Sequence, residues 1–112
     1  MVDMNVEQLI KAANLNPIAT PCPNREIMVA YIGDLLSWVM GKAESGNVWI
    51  TIMSNINTVA VATLADVGCI LLAEDVMPDD NALQAAMDKG VNILSVSMSA
   101  YETALKTSEL LN

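Results

Sequence analysis

The chain contains no histidine and no phenylalanine among its 112 residues, and only four aromatic side chains in all. Without histidine there is no imidazole general base, no Ser-His-Asp type triad and no His-ligated metal. Neither G-x-G-x-x-G nor G-x-x-x-x-G-K-[ST] occurs, and the five glycines are isolated, so the usual phosphate-cradling loops are missing too. Bases are as scarce. Five of them face thirteen acids, for a formal charge of −8, and Lys11, Arg25, Lys42, Lys89 and Lys106 are scattered along the chain. That balance opposes binding to phosphate backbones or anionic lipid, so no nucleic acid and no membrane surface is expected as a partner.

The two cysteines, Cys22 between prolines and Cys69 in an apolar run, form no C-x-x-C and have no histidine to share a metal with. They read as reduced, structural thiols. The N-terminus, with Asp3 and Glu7 and no basic start or long apolar run, is neither a secretion signal nor a transit peptide, which points to a cytoplasmic protein. No cofactor and no metal is expected. The carboxylate pairs Glu74–Asp75 and Asp79–Asp80 can in principle gather a hard cation, but match no defined ligand spacing and read better as a solvated turn and a helix cap.

What the chain does have is aliphatic bulk: 54% hydrophobic residues and eight methionines. The stretch from Trp49 to Ala73 carries one charge, Asp66, and raises the question of a membrane span. A span needs about 20 apolar residues in one helix. Here Ser54, Asn55 and Asn57 interrupt the run, Asp66 and Gly68 interrupt it again, and no flanking basic cluster sets an orientation. Three pieces of ordinary core length result: a strand, "NVWITIM"; a helix, "TVAVATLA", capped by Asn55 or Asn57 and expected to be buried nearly all round; and a second strand, "CILLA".

The rhythm continues. The acidic loop "EDVMPDD" leads to the helix "NALQAAMDKG", with Asp79 as cap and Gly90 as left-handed terminator. The strand "VNILSVS" follows. The helix "SAYETALKTSELL" opens on the Ser99/Glu102 capping-box spacing, with Tyr101, Leu105 and Leu110 as its apolar face. Val48, Ile70 and Asn92 thus start three β-α units at nearly constant spacing, the pattern of a parallel sheet with right-handed crossovers and strands buried on both faces.

Upstream, Asn5 caps a helix over "VEQLIKAANL", and "NPIATPCPNR" reads as a loop with a short edge strand. "EIMVAYIG" reads as one strand, and Asp34 caps the short helix "LLSWVM", which stops at Gly41. Tyr31 and Trp38 are expected in the packing. The fold class is therefore α/β: a three-layer α/β/α sandwich with a mixed, mostly parallel sheet, formed by residues 1–112 as a single domain.

The run from Asn24 to Leu111 resembles the DRTGG domain, which is related to the N-terminal domain of HPr kinase/phosphorylase. The most specific parts are "YIGDLLSWVMGKA", "VWITI", "NTVAVATLADV" and "GVNIL". The motif that names the family falls on Asn24, Arg25, Met28, Val29 and Ala30, of which the arginine alone is retained. The resemblance implies a non-catalytic accessory domain, of the kind found beside CBS domains, phosphotransacetylase and a P-loop kinase, with a part in dimerisation or regulation.

Two functional expectations follow. One is a regulatory interaction module acting as a homodimer or with another protein, since a chain this apolar and this rich in methionine suits a surface that a partner covers. The other is a sensor for a small anionic ligand, a metabolite or nucleotide, held where helix N-termini face the carboxyl ends of the strands. Its candidate residues are Thr51, Ser54, Asn55 and Asn57, with Asp34 and Ser37. The plainer reading of the same residues is as helix caps and turn formers.

Overall fold

The computed structural model describes residues 4–111; the start of the chain, with Asp3, lies outside them. Two strands and a helix come first: β1 (Met4–Asn5), α1 (Val6–Ala13) and β2 (Asn16–Ala19). Two short strands, β3 (Glu26–Ile27) and β4 (Ala30–Ile32), then lead into a regular alternation. It runs α2 (Leu36–Lys42), β5 (Val48–Thr51), α3 (Ile56–Ala65), β6 (Cys69–Leu72), α4 (Asp80–Lys89), β7 (Ile93–Ser95) and α5 (Ala100–Leu110).

The main sheet has the order β2-β7-β6-β5-β4. Strands β4 to β7 are parallel neighbours in chain order, and β2 adds an antiparallel edge against β7. Alternation along each strand divides the core in two. Val48, Ile50, Cys69, Leu71 and Leu94 point to the side covered by α1 and α5. Trp49, Ile70, Leu72 and Ile93 point to the side covered by α2, α3 and α4. This is the three-layer α/β/α sandwich expected from the apolar runs, and no helix among the described residues is long and apolar enough to cross a membrane.

Most ends are set by local chemistry. Asn5 and Gln8 form a reciprocal capping box on α1, Asn55 Oδ1 accepts from the N–H groups of Asn57 and Thr58 on α3, Asp79 caps α4, and Ser99 and Glu102 box α5. Gly90 closes α4 in the left-handed region (φ 73°).

Five expectations are corrected. The segment "EIMVAYIG" is two strands, because the chain changes partner at Met28–Val29: β3 pairs with β1, and β4 pairs with β5. The bend is held by Met28 N–H donating to the Gly46 carbonyl (2.8 Å) and by Asn47 Nδ2 donating to the Val29 carbonyl (2.9 Å). Gly68 must be a glycine here, since a Cβ would come within 2.6 Å of Ile27 Cγ2. Second, α2 is capped by Leu35 with no side-chain bond and runs through Gly41 to Lys42; Asp34 is engaged elsewhere. Third, α3 is buried on one side alone. The sheet lies under it and α2 and α4 flank it, so Ile56 and Leu64 on its outer face remain exposed. Fourth, α5 buries Thr103 and Thr107 while Tyr101 and Leu105 face out. The two threonines escape the cost of a buried hydroxyl by donating to the carbonyls of Ser99 and Thr103 one turn back. Fifth, Trp38 stands on the surface with Lys42 Nζ 5.3 Å from its ring centroid, whereas Tyr31, half-buried, does pack against the core.

Arg25 has a structural task. Arg25 donates to the Asp66 carbonyl (2.8 Å) and pairs with its carboxylate (3.1 Å), tying the N-terminal segment to the end of α3. Bonds from Ser45 and Arg25 hold the Asp66 carboxyl below its ordinary value of 3.8. A depressed carboxyl stabilises the fold above the ordinary range and loses that contribution as pH falls through the depressed value. Arg25→Met is therefore expected to lower stability by about 1 kcal/mol near neutral pH. Thermal melts should show the gap between variant and wild type narrowing below pH 3.8.

Candidate functional site

In a sheet whose strands run parallel, the loops that leave their carboxyl ends share one edge of the molecule, and ligands of open α/β folds bind there. Four loops meet at that edge: residues 33–35 after β4, 52–55 after β5, 73–79 after β6 and 96–99 after β7. All six candidate residues lie on this edge or next to it.

Thr51 and Asp34 come together, although they are 17 residues apart. Thr51 is fully buried at the end of β5 and its hydroxyl donates to Asp34 Oδ1 (2.7 Å), which also accepts from the Ile52 N–H (3.1 Å). The Thr51 Oγ1 in turn accepts from Met53 N–H (3.1 Å). Asp34 is thus a bolt between two loops. Next to Asp34, the Gly33 carbonyl accepts from the indole N–H of the buried Trp49 (2.9 Å) and fixes the same loop to β5.

Ser54 and Asn55 line a narrow crevice between α3 and the β6–α4 loop. Ser37 and Asn57 are not drawn in: both are exposed on first helical turns. The helix N-terminus itself is occupied, because Asn55 Oδ1 takes the N–H groups of Asn57 (2.9 Å) and Thr58 (3.2 Å).

The crevice holds residues that sequence patterns did not single out. Its floor is Ile70, Leu72 and Ile93, its walls are Thr58 and Val59 of α3 and Ala82 of α4, and its mouth is flanked by Met53 and Pro78. Thr58 is 1% exposed and its hydroxyl oxygen has no hydrogen-bond partner. The signal in the sequence was a polar, β-branched residue three positions after the cap, at the head of a run whose remaining residues, Thr63 apart, are apolar.

The four loops of this edge carry charge of one sign. Asp34, Glu74, Asp75 and Asp79 lie in its loops, Asp80 and Glu102 open the helices that follow, and no lysine or arginine lies in any of the four loops. Glu74 and Asp75 both adopt left-handed backbone (φ 60° and 59°) and donate their N–H groups to the carbonyls of Met98 and Val96, clamping the β6–α4 loop to the β7–α5 loop. Among the described residues, no cluster of three carboxylate or thiol groups gathers at a metal-binding spacing. Both cysteines are free; Cys22 is exposed, and burial in β6 pushes the Cys69 thiol up to about 12.

No family model matches the sequence, and no curated protein matches it. Among solved structures, the chain is similar to the CBS and DRTGG domains of the regulatory region of Clostridium perfringens pyrophosphatase, a crystal structure in complex with the activator diadenosine tetraphosphate. The TM-score is 0.71 at 9% sequence identity. The fold is DRTGG-like. The alignment covers 96% of this chain and 47% of that one, so the present chain spans about half the length of the structure it matches. At this identity the likeness is one of fold.

The Asp34 bolt gives a direct test of how the DRTGG-like edge is held. Asp34→Ala leaves the buried Thr51 hydroxyl without its acceptor and frees the Ile52 N–H. Urea unfolding should register a loss of about 1 to 3 kcal/mol, whereas Ser37→Ala at an exposed position should stay within about 0.5 kcal/mol of wild type.

Proposed function

We propose that the chain is a non-catalytic regulatory module that works as a homodimer in the cytoplasm. The observation that carries this reading is the free edge of β4. It leaves Val29 and Ile32 exposed (54% and 49%) and borders an apolar hollow of about 210 Å³ closed on its other side by Ala104, Ser108 and Leu111. Tyr101 and Leu105 extend the apolar surface along α5. Every side chain of this set is uncharged, and an uncovered edge strand with apolar side chains is a liability that a partner removes. The sequence resemblance to the DRTGG domain, with its relation to the N-terminal domain of HPr kinase/phosphorylase, supports the same role, as does the regulatory origin of the similar structure. Light scattering on a size-exclusion column should give a mass twice the chain's 12.0 kDa over a dilution series. Ile32→Lys should dissociate the pair, and a wild-type chain that is monomeric at micromolar concentration removes this reading.

A second reading is favoured by one observation of its own, the unpartnered Thr58 hydroxyl in the crevice at the carboxyl edge. On this reading the module senses a small ligand beside the Thr51–Asn57 loop, and the similar structure was itself solved with a nucleotide activator. A thermal-shift screen of nucleotides and phosphorylated metabolites, extended to their uncharged parents, should show a saturable stabilisation. At a hundredfold excess over Kd it amounts to about 2 to 3 kcal/mol. A flat response across the screen removes the sensor.

A further inference from the structure

Four other threonine hydroxyls, three on the buried Thr51, Thr103 and Thr107 and one on the exposed Thr63, show what the fold ordinarily does with such a group. Thr63, Thr103 and Thr107 each donate to the carbonyl one turn back in their own helix, and Thr51 bonds Asp34. Thr58 has neither solution. It stands one position nearer the start of its helix than Thr103 does, so the residue a full turn back, Ser54, precedes the cap instead of being the cap, and Asn55 spends its side-chain oxygen on backbone N–H groups. The crevice in front of Thr58 has no room for a water molecule in this conformation. A buried hydroxyl with neither a protein partner nor space for water costs stability, and an isosteric valine would avoid that cost.

The lining specifies what could satisfy it. Met53, Val59, Ile70, Leu72, Pro78, Ala82 and Ile93 make the crevice almost wholly apolar, which suits a ring or a short chain, and a hydroxyl can donate or accept a single bond to it. The surroundings select against negative charge. Asp79 and Asp80 stand at the head of the neighbouring helix, Asp34, Glu74 and Asp75 lie in the flanking loops, no base lies in these loops, and the N–H groups of Asn57 and Thr58 are already capped. The positive helix ends that would attract a phosphate are therefore largely compensated.

We propose that the crevice between α3 and α4 is the closed form of a site for a small uncharged ligand, an apolar ring or chain with one hydrogen-bonding group that pairs with Thr58 Oγ1. This rests on the sensor reading and specifies its ligand class. Opening requires Met53 and Pro78 to part; the methionine thioether is unbranched and adapts readily.

Matched probes that differ in charge test it: adenosine against its 5′-monophosphate, and benzamide against benzoate, followed by thermal shift and ligand-observed NMR. The uncharged member of at least one pair should bind saturably, and more tightly than its anionic partner. Thr58→Val should raise the melting temperature of the free protein and weaken the uncharged probe by about tenfold or more, while Thr58→Ser, which keeps the hydroxyl, restores binding. Tighter binding of the anionic members, or undiminished binding by a folded Thr58→Val, overturns this inference and leaves a sensor of another ligand class. Failure of every probe, together with a flat response in the broader screen, overturns both.

Discussion

Exclusion of water from both faces of β6 is the constraint on which the rest of the molecule depends. Cys69, Ile70, Leu71 and Leu72 are all essentially inaccessible, two facing each helical layer. A strand buried on both faces cannot alternate polar with apolar residues, so it must be a continuous hydrophobic run. It also cannot be an edge, and β5 and β7 pair with it on either side. Once β6 is central, the helices before and after it must cover the sheet, and right-handed crossovers place α2, α3 and α4 together on one face. The other face is left for α1 and α5, which come from the two ends of the described chain.

That arrangement also sorts the charges. The starts of α2 to α5 collect at the carboxyl edge and their ends at the opposite one, whereas α1, which leads into the antiparallel β2, runs the other way; on α2 to α5, residues that complement helix dipoles therefore separate by sign. Asp79, Asp80 and Glu102 sit at starts; Lys42 and Lys89 sit at ends. The acidic character of the carboxyl edge is in this sense a by-product of sound helix design. Its effect on binding is nonetheless real, because a ligand meets the summed field whatever its origin.

Legibility in the sequence followed the range of the interactions. Caps act within three residues, and Asn5, Asn55, Asp79, Gly90 and Ser99 were all readable at their observed places. The parallel order of β5, β6 and β7 was readable because three apolar runs recur with helices between them. What failed was decided across the chain. After Glu26, "EIMVAYIG" has no charged residue, so nothing in its pattern marks the change of partner at Met28–Val29, which depends on Gly46 and Asn47 nearly 20 residues later. Asp34 has the chemistry of a cap, yet a hydroxyl 17 residues away claims it. On α5 a hydrophobic count selects Tyr101 and Leu105, whereas the helix seats self-bonded threonines against the sheet. Topology alone directed attention to the carboxyl edge, but Thr58, on which the sensor reading rests, is notable for a bond it lacks, and a missing bond leaves no periodicity.

The two tryptophans have separate fates. Trp49 is sealed in the α2–α3–α4 layer with its N–H on Gly33, and Trp38 lies open on α2 beside Lys42. The protein consequently carries two intrinsic fluorophores in opposite environments: an indole whose emission follows the integrity of the interior, and a second that answers to whatever covers the outer surface of α2.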